Sequence, residues 1–178
     1  MTAPLQFRSA TLDDVDALLA LVESAYRGDA SRQGWTTEAD LLDGQRTDRE
    51  GLRDTISRQG SIILMAERDA ELLGCAHLEQ QGNAAYFGMF AVRPGLQGGG
   101  IGDAILRECE RRARSMGLSQ VRMTVIWTRA ELIAFYLRRG YAATGETAPF
   151  PYGDERFGKP RREDLYFEVY AKSLKGEL

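Results

Sequence analysis

The stretch Gln97-Gly98-Gly99-Gly100-Ile101-Gly102 constrains this chain more than any other. An apolar run, Tyr86 to Val92, and a stop signal, Arg93-Pro94-Gly95, come before it. An amphipathic run from Ile101 to Met116 comes after it. Strand, glycine loop and helix together form a layout for holding phosphate. The first N–H groups of a helix have no intrahelical acceptor, and the helix dipole is positive there. Glycine lets the backbone approach an anion closely and adopt turn dihedrals that a Cβ would forbid. Four glycines between Gly98 and Gly102 weaken a helix start and so call for a reason.

Two phosphate-binding readings fail on the residues. A P-loop ends in Lys-Ser or Lys-Thr, whereas Asp103-Ala104 follows Gly102. A dinucleotide fingerprint needs glycines at its first, third and sixth positions and an acid about 20 residues on. Counted from Gly98 the sixth position is Asp103, and from Gly100 it is Ile105. Gln120 and Arg122 stand where the ribose-binding acid would be.

The loop resembles the acetyl-CoA-binding loop of the GNAT acetyltransferase superfamily: Arg or Gln, two residues, Gly, one residue, Gly or Ala. Gln97, Gly100 and Gly102 match it in place, within the flanking Val92-Arg93-Pro94 and Ile101-Gly102. A second segment, Phe135-Tyr136-Leu137-Arg138-Arg139-Gly140-Tyr141, resembles the family's aromatic pair and Gly-aromatic that close its last helix.

The pattern along the chain fits that resemblance. Leu5 to Arg8 alternates like a strand. A helix start at Thr11 to Asp14 leads into the apolar stripe Val15, Leu18, Leu19 and Val22. Helical stretches are expected at Thr37 to Gly44 and at Asp48 to Arg58. Ile62 to Ala66 reads as a strand buried on both faces. A tight turn at Asp69-Ala70, a strand from Glu71 to Gln80, a turn at Gln81 to Asn83 and a strand from Ala84 to Val92 form an antiparallel meander. In the helix from Ile101 to Met116, the apolar positions Ile101, Ile105, Cys109, Ala113 and Met116 hold helical spacing. Arg107, Glu108, Glu110, Arg111 and Arg114 face solvent, and Gly117 ends the helix. Gln120 to Ile126 lies parallel to the strand before that helix. Ala130 to Arg139 is helical, Tyr141 to Glu146 a strand, Pro149 to Pro160 a loop, and Leu165 to Ala171 a closing strand. The expected fold is therefore α/β (α+β): a mixed central sheet of about seven strands flanked by helices, the element order of the GNAT fold. Residues 1–178 read as a single domain.

Composition narrows the partners. A formal charge of −3, from 23 basic and 26 acidic residues, argues against general nucleic-acid binding. No apolar run approaches the roughly 18 residues of a membrane span. Met1 to Ser9 lacks the basic-then-apolar order of a signal peptide. The expected location is cytoplasmic. Cys75 and Cys109 have apolar neighbours and read as buried small hydrophobes. A single histidine, His77, and two scattered cysteines offer no metal-ligand spacing, so no metal is expected.

The resemblance implies an N-acetyltransferase with acetyl-CoA as cosubstrate. It places Phe90, Ala91 and Val92 along the pantetheine arm, and Gln97 to Asp103 at the phosphates. Tyr136 takes the position of the tyrosine that donates a proton to the CoA sulfur, a role that a phenol with a reference pKa of ~10 can fill. The family's asparagine near the start of this helix is missing from Trp127-Thr128-Arg129-Ala130-Glu131, so Arg129 or Thr128 is the candidate for that contact. Gly88 is expected to mark the bulge that splays the two parallel strands. For the general base, Glu79 is the first candidate and His77, two residues earlier on the same face, the second. Tyr26, Trp35, Glu38, Asp40 and Phe150 to Phe157 are candidate acceptor walls, with acids that would suit a cationic amine. The turn from Gly145 to Pro151 is expected to fold over the acceptor. The acceptor is expected to be a primary amine of a small molecule, attacking directly in a ternary complex. A peptide acceptor and a non-catalytic acyl-CoA sensor are the alternatives. Homodimers are common in such enzymes, though no sequence feature fixes an interface.

Overall fold

A computed structural model describes residues 3–27, 39, 42–43, 46–96, 99–154 and 158–175. Strand β1 (Gln6–Ser9) leads through a 3-10 turn (Leu12–Asp14) into helix α1 (Val15–Tyr26). A two-residue strand, β2 (Leu42–Asp43), precedes α2 (Arg49–Ser57). The meander follows as β3 (Ser61–Arg68), β4 (Glu71–Gln81) and β5 (Ala84–Val92). Then come α3 (Ile101–Ser115), β6 (Gln120–Ile126), α4 (Ala130–Arg138), β7 (Ala142–Pro149), β8 (Lys159–Pro160) and β9 (Tyr166–Ser173). Seven strands form one mixed sheet in the order β1-β3-β4-β5-β6-β9-β7, while β2 and β8 pair apart from it. This is the fold class that the sequence leads one to expect.

Strand alternation distributes the apolar run of β3 between two cores. Leu64 and Ala66 pack with Ile105, Cys109 and Ala113 of α3. Ile63 and Met65 pack with Leu18 and Val22 of α1 and Leu52 of α2. Both faces are covered, which is why the run is continuous rather than alternating. Leu52 is the one buried residue of α2. The start of that helix is fixed by Asp48, whose side chain accepts from the Gly51 N–H at 2.7 Å, a cap worth about 1 kcal/mol. The Asp69-Ala70 turn has positive φ at both residues, 53° and 64°, as a two-residue hairpin turn requires. Both cysteines are buried, and burial pushes the Cys75 thiol up to about 12, far from a nucleophile's range.

The functional geometry begins where β5 leaves β6. The two strands pair in parallel only over Ala84–Tyr86 and Gln120–Arg122. On the other edge, His77 of β4 faces Gly88 and Cys75 faces Ala91, so Met89 and Phe90 together oppose Ala76. The bulge therefore falls one residue later than expected, at Met89, which takes φ 46°. Gly88 serves another purpose. A Cβ there would lie 2.6 Å from the Tyr86 Oη and 2.7 Å from Cε1, so the glycine makes room for the Tyr86 ring.

Other expectations also shift. Of the helix expected at Thr37 to Gly44, Leu42–Asp43 instead pair with Lys159–Pro160 as strands; residues 37–38, 40–41 and 44 lie outside the described set. The expected turn from Gly145 is strand: β7 runs on to Pro149, with a register shift between Ala143 and Thr147 that Gly145 accommodates at φ 87°. Glu110, expected on the wet side of α3, is buried, because Tyr141 and Lys172 reach it from beneath.

Candidate active site

Where β5 and β6 part, a cavity of about 140 Å³ opens between them, lined by Phe87, Phe90, Met123, Val125, Arg129 and Tyr136, among others. Helix α4 carries Tyr136 to its floor. The ring meets Phe87 edge-on at 6.2 Å, Phe135 at 5.5 Å and Tyr141 at 5.9 Å, which fixes its orientation. Burial pushes the hydroxyl's pKa well above its ordinary value, with nearby Tyr26 adding to the effect, so the phenol is protonated at neutral pH. It can donate a proton and has no described hydrogen-bond partner holding it elsewhere.

Helix α3 starts beside this cavity. Gly100 takes φ 87° at the N-cap, and the first intrahelical bond runs from Ala104 N to Gly100 O at 3.0 Å. The N–H groups of Ile101, Gly102 and Asp103 precede that bond, so no helical carbonyl receives them. Gly102 lies against β5: a Cβ would sit 3.0 Å from Cζ of Phe90 and 3.7 Å from Cζ of Phe135. A side chain here would push the helix start off the strand. Gln97 and Gly98 lie outside the described residues. The Asp103 side chain turns to two arginines. Its carboxylate takes Arg139 Nε at 2.8 Å and Arg107 Nε at 3.0 Å, while Arg139 lies over the Phe135 ring at 3.6 Å. An anionic side chain cannot ligate phosphate, so Asp103 has only its backbone N–H to offer.

Phe90, Ala91 and Val92 lie on β5 beyond its last pairing with β6. The Tyr26 hydroxyl donates to the Phe90 carbonyl and pins α1 to this edge. Two guanidinium groups converge on the Tyr26 ring: Arg46 at 5.1 Å and Arg129, the N-cap residue of α4, at 5.6 Å. Arg129 lines the cavity. Its neighbour Thr128 has a buried Oγ1 with no hydrogen-bond partner among the described residues.

Glu79 and His77 do not line the cleft itself. They line a broad open basin of about 770 Å³ beside α2, which meets the cleft at Arg46, Tyr86 and Met89. Oε1 of Glu79 takes Arg58 Nε at 2.9 Å and Nη2 at 2.6 Å. Burial alone would raise this carboxyl, but the Arg58 hydrogen bonds and charge outweigh it and hold the group below its ordinary value. Glu79 is thus a firmly ionised, weakly basic carboxylate. His77 Nε2 stands 2.8 Å from Ser61 Oγ and 3.3 Å from Glu79. The Ser61 hydroxyl donates to the Thr55 carbonyl at 2.8 Å, so it accepts from His77. The hydrogen-bond pattern thereby assigns the ring proton to Nε2 and the lone pair to Nδ1. Burial lowers the His77 pKa, keeping the ring neutral at pH 7.

A third hollow, of about 170 Å³, is lined by Arg27, Leu42, Phe150, Pro151 and Asp154, and shares Arg46, Ile126 and Phe167 with the cleft. Of the residues expected as acceptor walls, Tyr26 lines the cleft and Phe150 the hollow. Trp35, Glu38, Asp40 and residues 155–157 lie outside the described set. Arg46, Met89 and Tyr86 at the site were not foreseen from local patterns. Only the Tyr86-Phe87-Gly88 spacing, a tyrosine and a glycine on one face of a strand, could have flagged the last.

The profile of the acetyltransferase (GNAT) family matches residues 20–141. The chain belongs to that family. An amino-acid acetyltransferase of Ralstonia nicotianae is 32% identical over 148 residues, covering 80% of this chain and 28% of the relative. The chain thus spans little more than a quarter of that relative's length. An IAA acetyltransferase of Azospirillum brasilense is 30% identical over 146 residues, covering 79% of this chain and 85% of the relative. Among solved structures, the ribosomal-protein-S18-alanine N-acetyltransferase of Escherichia coli superposes with a TM-score of 0.72 at 12% identity, covering 98% of this chain and 97% of that one. The PaiA N-acetyltransferase of Thermoplasma acidophilum, solved with coenzyme A, gives 0.65 at 16% identity, covering 96% and 99%. At such identities these two speak for the fold alone. Among the described residues no helix is long and apolar enough to cross a membrane.

Proposed function

We propose that this protein transfers the acetyl group of acetyl-CoA to a primary amine of a small molecule, by direct attack in a ternary complex. The observation that carries this reading is one cleft, opened by the parting of β5 and β6, with a protonated phenol on its floor and the N-terminus of α3 beside it. Acetyl-CoA would supply the activated acyl group. The N–H groups of Ile101, Gly102 and Asp103 would take its phosphates, and the edge from Phe90 to Val92 its arm. Arg129 is the stronger candidate beside them, since it lines the cleft. Tyr136 would give its proton to the departing sulfur. Of the two candidate bases, the neutral His77 is favoured over Glu79, whose basicity Arg58 has taken.

Support for a small acceptor comes from the relatives named for amino-acid and IAA acetylation, and from the small volume of the hollow beside Phe150. The guanidinium groups of Arg27, Arg46 and Arg129 around the joined cavities suit an acceptor that also carries a carboxylate. The open basin beside α2 favours the second reading, a peptide acceptor lying along β4. Titrating the protein with acetyl-CoA by calorimetry and then following thiol release with amino acids, simple amines and short peptides tests both. Saturable binding with turnover of the small amines is expected. Turnover of peptides alone would replace the first reading with the second.

A further inference from the structure

We infer that Tyr86 is the residue that holds the attacking amine, its Oη accepting a hydrogen bond from the amine N–H. This rests on the acetyl-transfer reading above. Three observations converge on this side chain. Tyr86 is the last residue of β5 to pair with β6, so it stands at the point where the cleft opens. It lines both the cleft, with Tyr136, and the basin, with His77 and Glu79. Its ring lies along the strand over Gly88, and this brings the hydroxyl to the backbone just before the Met89 bulge. Any side chain at residue 88 would displace that hydroxyl, so the glycine and the tyrosine act as one device.

The ring is held from the basin side. His77 meets it edge-on, with centroids 5.7 Å apart and planes at 68°. His77 is itself fixed by Ser61 of β3, and Glu79 of β4 is fixed by Arg58 beyond α2. Asp54 of α2 pairs with Arg58 at 2.7 Å, so Asp54, Arg58 and Glu79 are tied to one another. Tyr86 stands where the basin meets the cleft, so an acceptor entering from the basin passes its hydroxyl on the way to Tyr136. The chemistry balances without a further reagent. A neutral amine binds with one N–H on Tyr86 and its lone pair towards the acyl carbon. The C–N bond forms and the C–S bond breaks. The Tyr136 proton goes to sulfur, the surplus proton on nitrogen leaves through the basin by way of His77 or water, and Tyr136 regains a proton from solvent as the products leave.

Tyr86→Phe tests this, because it keeps the ring and its packing and removes only the oxygen. Steady-state kinetics with the best amine of the panel should show kcat/KM for the amine lowered about 10- to 100-fold. Acetyl-CoA affinity, measured by calorimetry, and the melting temperature should stay unchanged. Gly88→Ala, which keeps the oxygen but moves it, should lower the same ratio. Wild-type kcat/KM in Tyr86→Phe would overturn the inference and leave the acetyltransferase reading standing. Parallel loss of acetyl-CoA affinity would overturn it too, by making the oxygen a structural group. Acetyl-CoA binding by the unmodified protein with no amine acetylated would overturn the inference and the proposed reaction together.

Discussion

The Tyr141 hydroxyl donates to Oε2 of Glu110 at 2.8 Å, in the interior between α3 and the end of α4. Lys172 Nζ completes the group, 3.2 and 3.3 Å from the two carboxylate oxygens. Glu110 is only 5% exposed, so its charge is tolerable there only with both partners present. Tyr141 in turn supports the Tyr136 ring. Glu110→Ala should therefore cost about 3 kcal/mol, and Tyr141→Phe about 1 kcal/mol, in urea unfolding. A double-mutant cycle should return coupling rather than additivity.

Tyr136→Phe keeps the aromatic floor and removes the proposed acid. The expected result is a fall in kcat of roughly 100-fold with acetyl-CoA affinity retained. Single-turnover thiol release and calorimetry check the two halves separately.

Gly102→Val and Gly100→Val should fail for different reasons. At Gly102 the added atoms collide with Phe90 and Phe135, so cofactor binding should be lost with a change in near-ultraviolet circular dichroism from those rings. At Gly100 no described atom lies within 4 Å of a Cβ, but φ 87° strains any β-branched residue. The cost there should appear as a lower melting temperature together with weaker acetyl-CoA binding.

Asp14 accepts from both Nη atoms of Arg8, at 2.8 and 2.9 Å, while Arg8 Nε holds Glu67 of β3 at 2.6 Å. The Arg8 hydrogen bonds hold the Asp14 carboxyl near 2, against an ordinary 3.8. A depressed acid contributes stability above its unfolded pKa and loses it as pH falls through the folded one. The start of α1 should therefore loosen between about pH 4 and pH 2, and Asp14→Asn should flatten that limb of a melting-temperature profile.

Ala70 occupies φ 64° in the β3–β4 turn, where an Asp-Gly pair is the preferred solution. Ala70→Gly should raise stability by about 0.5–1 kcal/mol, read as a higher melting temperature with unchanged activity.

The fold was legible because its signals are local. The doubly covered run of β3, the meander turns and the glycine between Arg93 and α3 each name their own structure. The position of Tyr136 on the last helix and the start of α3 after the glycines were legible for the same reason, as short contiguous patterns. What depends on distant partners was not. Glu110 reads as a surface acid until Tyr141 and Lys172 close on it from 31 and 62 residues away. Glu79 reads as a base until Arg58 claims it. The bulge went to Gly88 because glycine is the usual mark, whereas there the glycine accommodates a ring and Met89 carries the strained dihedral. Leu42–Asp43 became strand by pairing with Lys159–Pro160, a partner that no local periodicity announces.

The short ladder between β5 and β6 has a mechanical consequence. Three residue pairs are all that join the leaf β1-β3-β4-β5 to the leaf β6-β9-β7 within the sheet. Within the sheet these pairs are a spine held at one end. A cosubstrate laid between the strands acts as binding thread, so occupancy should be felt as stiffness across the whole spine and not merely at the atoms touched.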